Sequence, residues 1–316
     1  MLRSILCLLT FTSLLFAQGN PAALPWKPEV INGVPYVPID QVKQFYGFDQ
    51  MQMQQKQLTL ENNSVKVAFT VGGHEVRLNG VKFFSAEPVI LKNGKYFLSQ
   101  HDLTTLLDPV LRPQKPQPPK LQKENIKTVI LDPGHGGHDK GAAGLEAKYT
   151  LILAEQIKKM LVARGYAVAL TREKNNFVPL AERIRLANKK NNAVFVSIHF
   201  NAGPKQVRGI ETYIPSTLNG QGMNNNADNI ALATAMHSRA LLYLNNPKGN
   251  NFEMPDRGIR RARFNVFMNI KHPTVLIEGG YLSNKVDAGH IQDPIYQNTL
   301  ASAIVRGIDV FKNTLR

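Results

Sequence analysis

The chain has 316 residues, 43% of them hydrophobic, and 38 Lys+Arg against 23 Asp+Glu give it a formal net charge of +15. That apolar content excludes compositional disorder, and the length allows two domains or one large one. The charge suits an anionic partner such as nucleic acid, lipid headgroups or a wall polymer, although scattered lysines that keep a chain soluble account for it equally well.

Residues 1–17, MLRSILCLLTFTSLLFA, run from a basic residue through an apolar stretch to a small residue ahead of polar QGNP. This is the order of a secretory signal peptide, and the run is too short for a stable membrane span. Cleavage is expected near Ala17, with Ala23 as the alternative, and no membrane insertion is expected afterwards. The single cysteine, Cys7, falls inside this segment. Disulfides, thiolate zinc ligands and a cysteine nucleophile therefore drop out of the mature chain.

Residues 28–110 read as a small β-rich α+β domain. INGVPYVPIDQVKQFYG (31–47) and KNGKYFLSQHDLTTLLD (92–108) form a weak internal repeat, each running from an Asn-Gly turn through a short strand into an amphipathic helix. Between them QLTLE, SVKVAFTV and HEVRLNGVKFF alternate as strands separated by ENN, GG and NG turn signals. His74 and His101 stand alone and read as surface or satisfied residues. The unit is expected to bind or to space. Residues 111–125, LRPQKPQPPKLQKEN, carry four prolines and no hydrophobic period, which predicts an extended linker.

Residues 126–316 alternate strand and helix in the manner of a mostly parallel sheet flanked by helices. The strand candidates are TVILDPGH, AVALTR, AVFVSIHF, GIETYIP, FNVFMN and TVLIEGGY; helices are expected at 147–163, 178–190, 228–244 and from Tyr296 onward. In an open α/β sheet the ligand site collects at the carboxyl ends of the strands. His135, His199 and Glu278 each end such a strand, and Glu146 opens the first helix, with glycines between it and His135 that let the chain fold back.

Two imidazoles and one carboxylate are the ligand set of a catalytic zinc site, which leaves a position for water and lowers its pKa toward ~7. A hydrolase then needs a general base, and Glu278 is the free carboxylate at a neighbouring strand end. Singly, each residue has an ordinary structural explanation, since strand-end histidines often bond backbone carbonyls and helix starts favour Glu. Jointly, four such groups in one domain favour a metal. Asp132 is expected to order the turn or to partner a ligand histidine. His138 reads as an exposed bystander, Glu211 as a structural hydrogen-bonding group, and Arg183 and Asn188 as helix and cap elements.

The blocks ILDPGHGGHDKGAAG, LEAKYTLILAEQIKKML, VSIHFNA, RGIETYIP, DRGIRRARFNVFMN and PTVLIEGGYLSN resemble, in order, those of the zinc-dependent N-acetylmuramoyl-L-alanine amidases of the amidase_3 type, from about Lys127 to Phe311. The first domain resembles the copper-amine-oxidase N-terminal-like domain, with nothing to suggest copper. The resemblance implies one zinc ion held by His135, Glu146 and His199, with Glu278 as the catalytic carboxylate. It also implies cleavage of the amide between N-acetylmuramic acid and L-alanine in peptidoglycan. Two departures stand out: Ala147 and Lys148 replace a Lys-acid pair, and Gly279 replaces a larger or hydroxyl residue.

An exported periplasmic or cell-wall enzyme follows, with peptidoglycan and not nucleic acid as its partner and the partner of the first domain unknown. The rivals are a zinc carboxypeptidase or aminopeptidase of similar fold and a non-catalytic peptidoglycan-binding protein. Residues 216–227 read as a polar loop with no helical plug, so residues 126–316 are expected to be active alone.

Overall fold

The computed structural model describes residues 26–112, 126–217, 225–267 and 269–314. The expected signal segment, most of the linker and most of the 216–227 loop lie outside these residues. Among the described residues, no helix is long and apolar enough to cross a membrane.

The N-terminal part builds β1 (Glu29–Ile31), β2 (Val34–Pro38), α1 (Ile39–Tyr46), β3 (Gln50–Gln54), β4 (Gln57–Glu61), β5 (Lys66–Thr70), β6 (Glu75–Leu78), β7 (Val81–Phe84), β8 (Ile90–Lys92) and β9 (Lys95–Ser99). It ends in α2 (Gln100–Asp102), a π turn (Leu103–Leu107) and α3 (Asp108–Leu111). The internal repeat takes physical form as two hairpins, β1–β2 and β8–β9, which meet antiparallel through β2 and β9 in a four-stranded sheet. Each hairpin turns on Asn-Gly with both residues left-handed, at φ 52° and 82° for Asn32–Gly33 and 51° and 72° for Asn93–Gly94. That is the conformation a two-residue hairpin turn requires. Ser99 caps the following helix by accepting the Asp102 amide at 3.0 Å.

The remainder alternates as expected. It comprises β10 (Thr128–Pro133), α4 (Glu146–Val162), β11 (Ala167–Leu170), α5 (Leu180–Asn188), β12 (Ala193–Asn201), β13 (Ile210–Pro215), α6 (Asn226–Leu244), β14 (Asp256–Ala262), β15 (Thr274–Tyr281), α7 (Lys285–Gln292) and α8 (Pro294–Thr314). β11, β10, β12 and β15 are parallel neighbours, β13 joins β15 antiparallel, and β14 continues parallel to β13. β10, β12 and β15 are buried along nearly their whole length, which is why they read as continuous apolar runs and not as alternating ones. Leu153, Ile157 and Leu161 of α4 and Leu300, Ile304 and Ile308 of α8 are fully buried at the sheet, and each such side chain contributes roughly 1.5–3 kcal/mol relative to exposure.

One strand departs from expectation. FNVFMN forms no strand, since Asn265–Phe267 is a single 3-10 turn; the strand lies upstream in Asp256–Ala262, DRGIRRA. Its three arginines hide it from a search for apolar runs. β14 does not end the sheet, because it pairs in parallel with β7 through Ile259 and Phe83. The two parts of the chain therefore share one eleven-stranded sheet, in the order β11-β10-β12-β15-β13-β14-β7-β6-β5-β4-β3.

Candidate metal centre

The four residues picked from the sequence fall at the carboxyl ends of β10, β12 and β15 and at the first turn of α4. His135 Nε2 lies 3.0 Å from Glu146 Oε2, and His199 Nδ1 lies 2.8 Å from Glu146 Oε1. The potential ligand atoms of His135, Glu146 and His199 all fall within 4.8 Å of one another. Glu278 is the register partner of His199 across β12–β15, followed by a register shift that bends β12 beside the site.

The loop that carries His135 is under local constraint. His135 itself has φ 60°, a left-handed conformation that non-glycine residues adopt at a cost. Gly134 precedes it, and a Cβ there would run into the His199 ring, so any side chain at 134 displaces that imidazole.

Two buried arginines pay for the constraint. Arg183 donates to the carbonyls of Pro133 at 2.7 Å, His135 at 2.6 Å and Val178 at 2.9 Å, and pairs with Asp132 at 2.8 Å. Arg172 donates to Pro133 O at 3.0 Å and to Gly134 O and Ala147 O at 2.8 Å each. Burial, aided by the neighbouring Arg183 charge, pushes the Arg172 guanidinium down to about 10.

Asp132 therefore orders the turn but does not partner a ligand histidine; it takes Thr171, Ser197 and Arg183. That partner is Asp139, whose carboxylate accepts the His135 Nδ1–H at 2.9 Å and so leaves Nε2 with its lone pair toward the centre. Asp139 and Arg172 carry no sequence signal of these roles, and Arg183, expected as a helix element, is instead a clamp on the loop. The available signal was the spacing of Arg183 to Ala187, which puts both on the inner face of α5. His138 is exposed against Phe177, as expected; His74 bonds the nearby Ser85 O, while His101 Nε2 meets Thr217 Oγ1 across the two parts of the chain.

The electrostatics divide the carboxylates. Burial raises the Glu146 carboxyl, but the adjacent His135 and His199 rings and the Ala142 amide outweigh it and hold the group well below the usual range. Glu278 is pushed well above that range by burial and by the charges of Glu146 and Glu211. Among the described residues its Oε2 has no hydrogen-bond partner. Glu211, opposite Glu278 on β13, is saturated. It accepts from Asn201 at 3.0 Å, Tyr213 at 3.1 Å, Tyr281 at 2.8 Å and Arg257 at 2.9 Å, and pairs with Arg260 at 3.4 Å.

Two imidazole nitrogens and one carboxylate, converging at the strand ends of an open sheet, fit a borderline-soft ion such as zinc. An α/β fold with such a centre beside an unpaired buried carboxylate defines a hydrolase-type site. Residues 129–310 match the N-acetylmuramoyl-L-alanine amidase family, and residues 15–108 match the copper amine oxidase N-terminal domain. The chain belongs to the N-acetylmuramoyl-L-alanine amidase family.

YqiI of Bacillus subtilis strain 168, described as uncharacterized, is 33% identical over 188 residues, 58% of this chain and 84% of that protein. LytC of the same strain, an N-acetylmuramoyl-L-alanine amidase, is 32% identical over 57% of this chain, which spans only 34% of LytC. A solved N-acetylmuramoyl-L-alanine amidase from Clostridium difficile 630 is 29% identical, with a TM-score of 0.52, and the match covers 60% of this chain and 98% of that one.

Proposed function

We propose that this protein is a zinc-dependent hydrolase of peptidoglycan. It cleaves the amide between the lactyl group of N-acetylmuramic acid and L-alanine, with His135, Glu146 and His199 as metal ligands and Glu278 as the catalytic carboxylate. The observation that carries the reading is the convergence of three ligand atoms within 4.8 Å, beside a buried Glu278 oxygen without a partner. A zinc ion at such a centre supplies carbonyl polarisation and acidification of water.

The chain's own residues do the rest. Asp139 fixes the tautomer of His135, and Arg172 and Arg183 fix the loop that presents it. Glu278 accepts the proton of the attacking water and returns it to the alanine nitrogen as the C–N bond breaks. The products are a lactyl carboxylate on the glycan and a stem peptide with a free L-alanine amine. The raised affinity of Glu278 for a proton suits a group that must hold one between those two steps. Peptidoglycan lies outside the membrane, which agrees with export through the leader-like residues 1–17.

The test incubates the mature protein with purified sacculi, with and without a chelator, and identifies the released products by mass spectrometry. Stem peptides that begin with L-alanine, lost with the chelator, support the reading. Stems trimmed elsewhere point to a peptidase, and no soluble product points to binding alone; either overturns it.

A further inference from the structure

The N-terminal part reaches the catalytic neighbourhood through a short chain of side chains. Phe84, the last residue of β7, carries the Arg260 guanidinium 3.7 Å from its ring centroid, a cation–π distance. Arg260 in turn stands 3.4 Å from Glu211 Oε1, the oxygen that Arg257 also holds. Glu211 is the register partner of Glu278.

The strand that bears these arginines is clamped from the N-terminal side at several further points. Lys82 Nζ donates to Asp256 O at 2.7 Å, and Arg261 donates to Thr105 O at 2.7 Å. Asn226 donates to the same Thr105 carbonyl at 2.7 Å. Gly258, at φ 83°, lets β14 lie flush on β7, since a Cβ there would press on Phe84 and Lys82.

We propose that the N-terminal part is a working component of the catalytic unit, in which Phe84 acts as a positioning residue that holds Arg260 on Glu211 and thereby fixes the wall beside Glu278. The inference rests on the amidase reading above for its kinetic arm alone. Without the ring, Arg260 is free to leave Glu211 for solvent, and the Asn201, Tyr213 and Tyr281 cluster loses one of its two guanidinium supports. Residues 126–316 by themselves would lack Phe84, Lys82 and Thr105, contrary to the self-sufficiency expected from the sequence.

The test uses the full mature chain. Phe84→Leu keeps bulk at a half-buried position and removes the ring face, so kcat for release of L-alanine stems from a soluble muropeptide should fall about two- to tenfold. KM and zinc content should stay near wild type, and Phe84→Tyr should restore kcat. An unchanged kcat in Phe84→Leu overturns the proposal, as does a loss confined to KM on sacculi, which would make Phe84 a polymer contact. A wild type that releases no such stem refutes the amidase reading instead.

A second arm is independent of turnover. Phe84 and Glu211 both contact Arg260, so Tm shifts of Phe84→Leu, Glu211→Gln and the double variant should be non-additive. Additive shifts overturn the proposal whatever the activity.

Discussion

Glu211 and Glu278 stand opposite each other across the antiparallel β13–β15 pair, yet one carboxylate is ringed by Asn201, Tyr213, Arg257, Arg260 and Tyr281 while the other has an oxygen with no partner. Two buried acids placed side by side thus take different roles: Glu211 is a strut fixed by its surrounding donors, and burial with neighbouring charge leaves Glu278 with a raised affinity for a proton. For Glu278→Gln the expected result is retained zinc with turnover reduced by about 10²–10⁴. Because the amide also removes repulsion from Glu146 and Glu211, Tm should hold or rise. Metal analysis with stem-peptide release checks this, and full turnover in the variant would remove Glu278 from the mechanism.

Arg183 reaches three carbonyls and one carboxylate that a lysine cannot span together. Arg183→Lys keeps a charge near Asp132 but leaves buried carbonyl acceptors unpaired, and should cost about 1–3 kcal/mol of stability. Zinc affinity should fall about ten- to a hundredfold, because His135 loses its backbone anchor. Chemical denaturation and competition with a chromogenic chelator measure the two; wild-type metal affinity would show that the loop holds its shape without the clamp.

Asp256 sits where the two parts of the chain join, accepting from His237 Nε2 at 3.0 Å with Arg77 at 3.8 Å. Burial raises its carboxyl, but the His237 bond and charge, with Lys82, hold it below the ordinary 3.8. A depressed folded pKa means stability that is fully present above the unfolded value near 4 and lost as pH falls through the folded value. Wild type should therefore exceed Asp256→Asn in Tm at pH 6, by roughly 1–3 kcal/mol of stability, and the gap should close below about pH 4. A gap that widens as the pH falls below about 4 would contradict this assignment.

Gly279 is a departure with a packing cause. A Cβ at this position would press on Leu300 and Phe200, so these side chains occupy the space that a larger residue would need. Gly279→Ser should destabilise by about 1–3 kcal/mol, the usual cost of overpacking. Thermal unfolding tests it, and Leu300→Ala in the same chain should recover part of the loss.

The proposed ligand set was legible because each member ends an apolar run or opens a helix, positions that sequence spacing fixes closely, and the three groups do converge. Asn-Gly turns announced the hairpins equally well. β14 was illegible for the opposite reason: its arginines look like a solvated stretch, and only three-dimensional partners, Glu211, Phe84 and Thr105, explain why they are held half-buried. Asp139 escaped notice because its partner lies one loop turn back, through a backbone bend at His135 that no side-chain pattern announces.

The pairing of β7 with β14 also orders events in time. β7 leaves synthesis early, and the strand that covers its edge follows only after the entire stretch through β13 and α6 has emerged. Until then β7 presents open backbone donors and acceptors, a template for pairing with another chain. Long-range closure of this kind is slow, because the loop must be ordered before any contact rewards it. Newly made protein is therefore most vulnerable to self-association in that interval, and Lys82, on the waiting strand, places a charge at the exposed rim until Asp256 arrives to meet it.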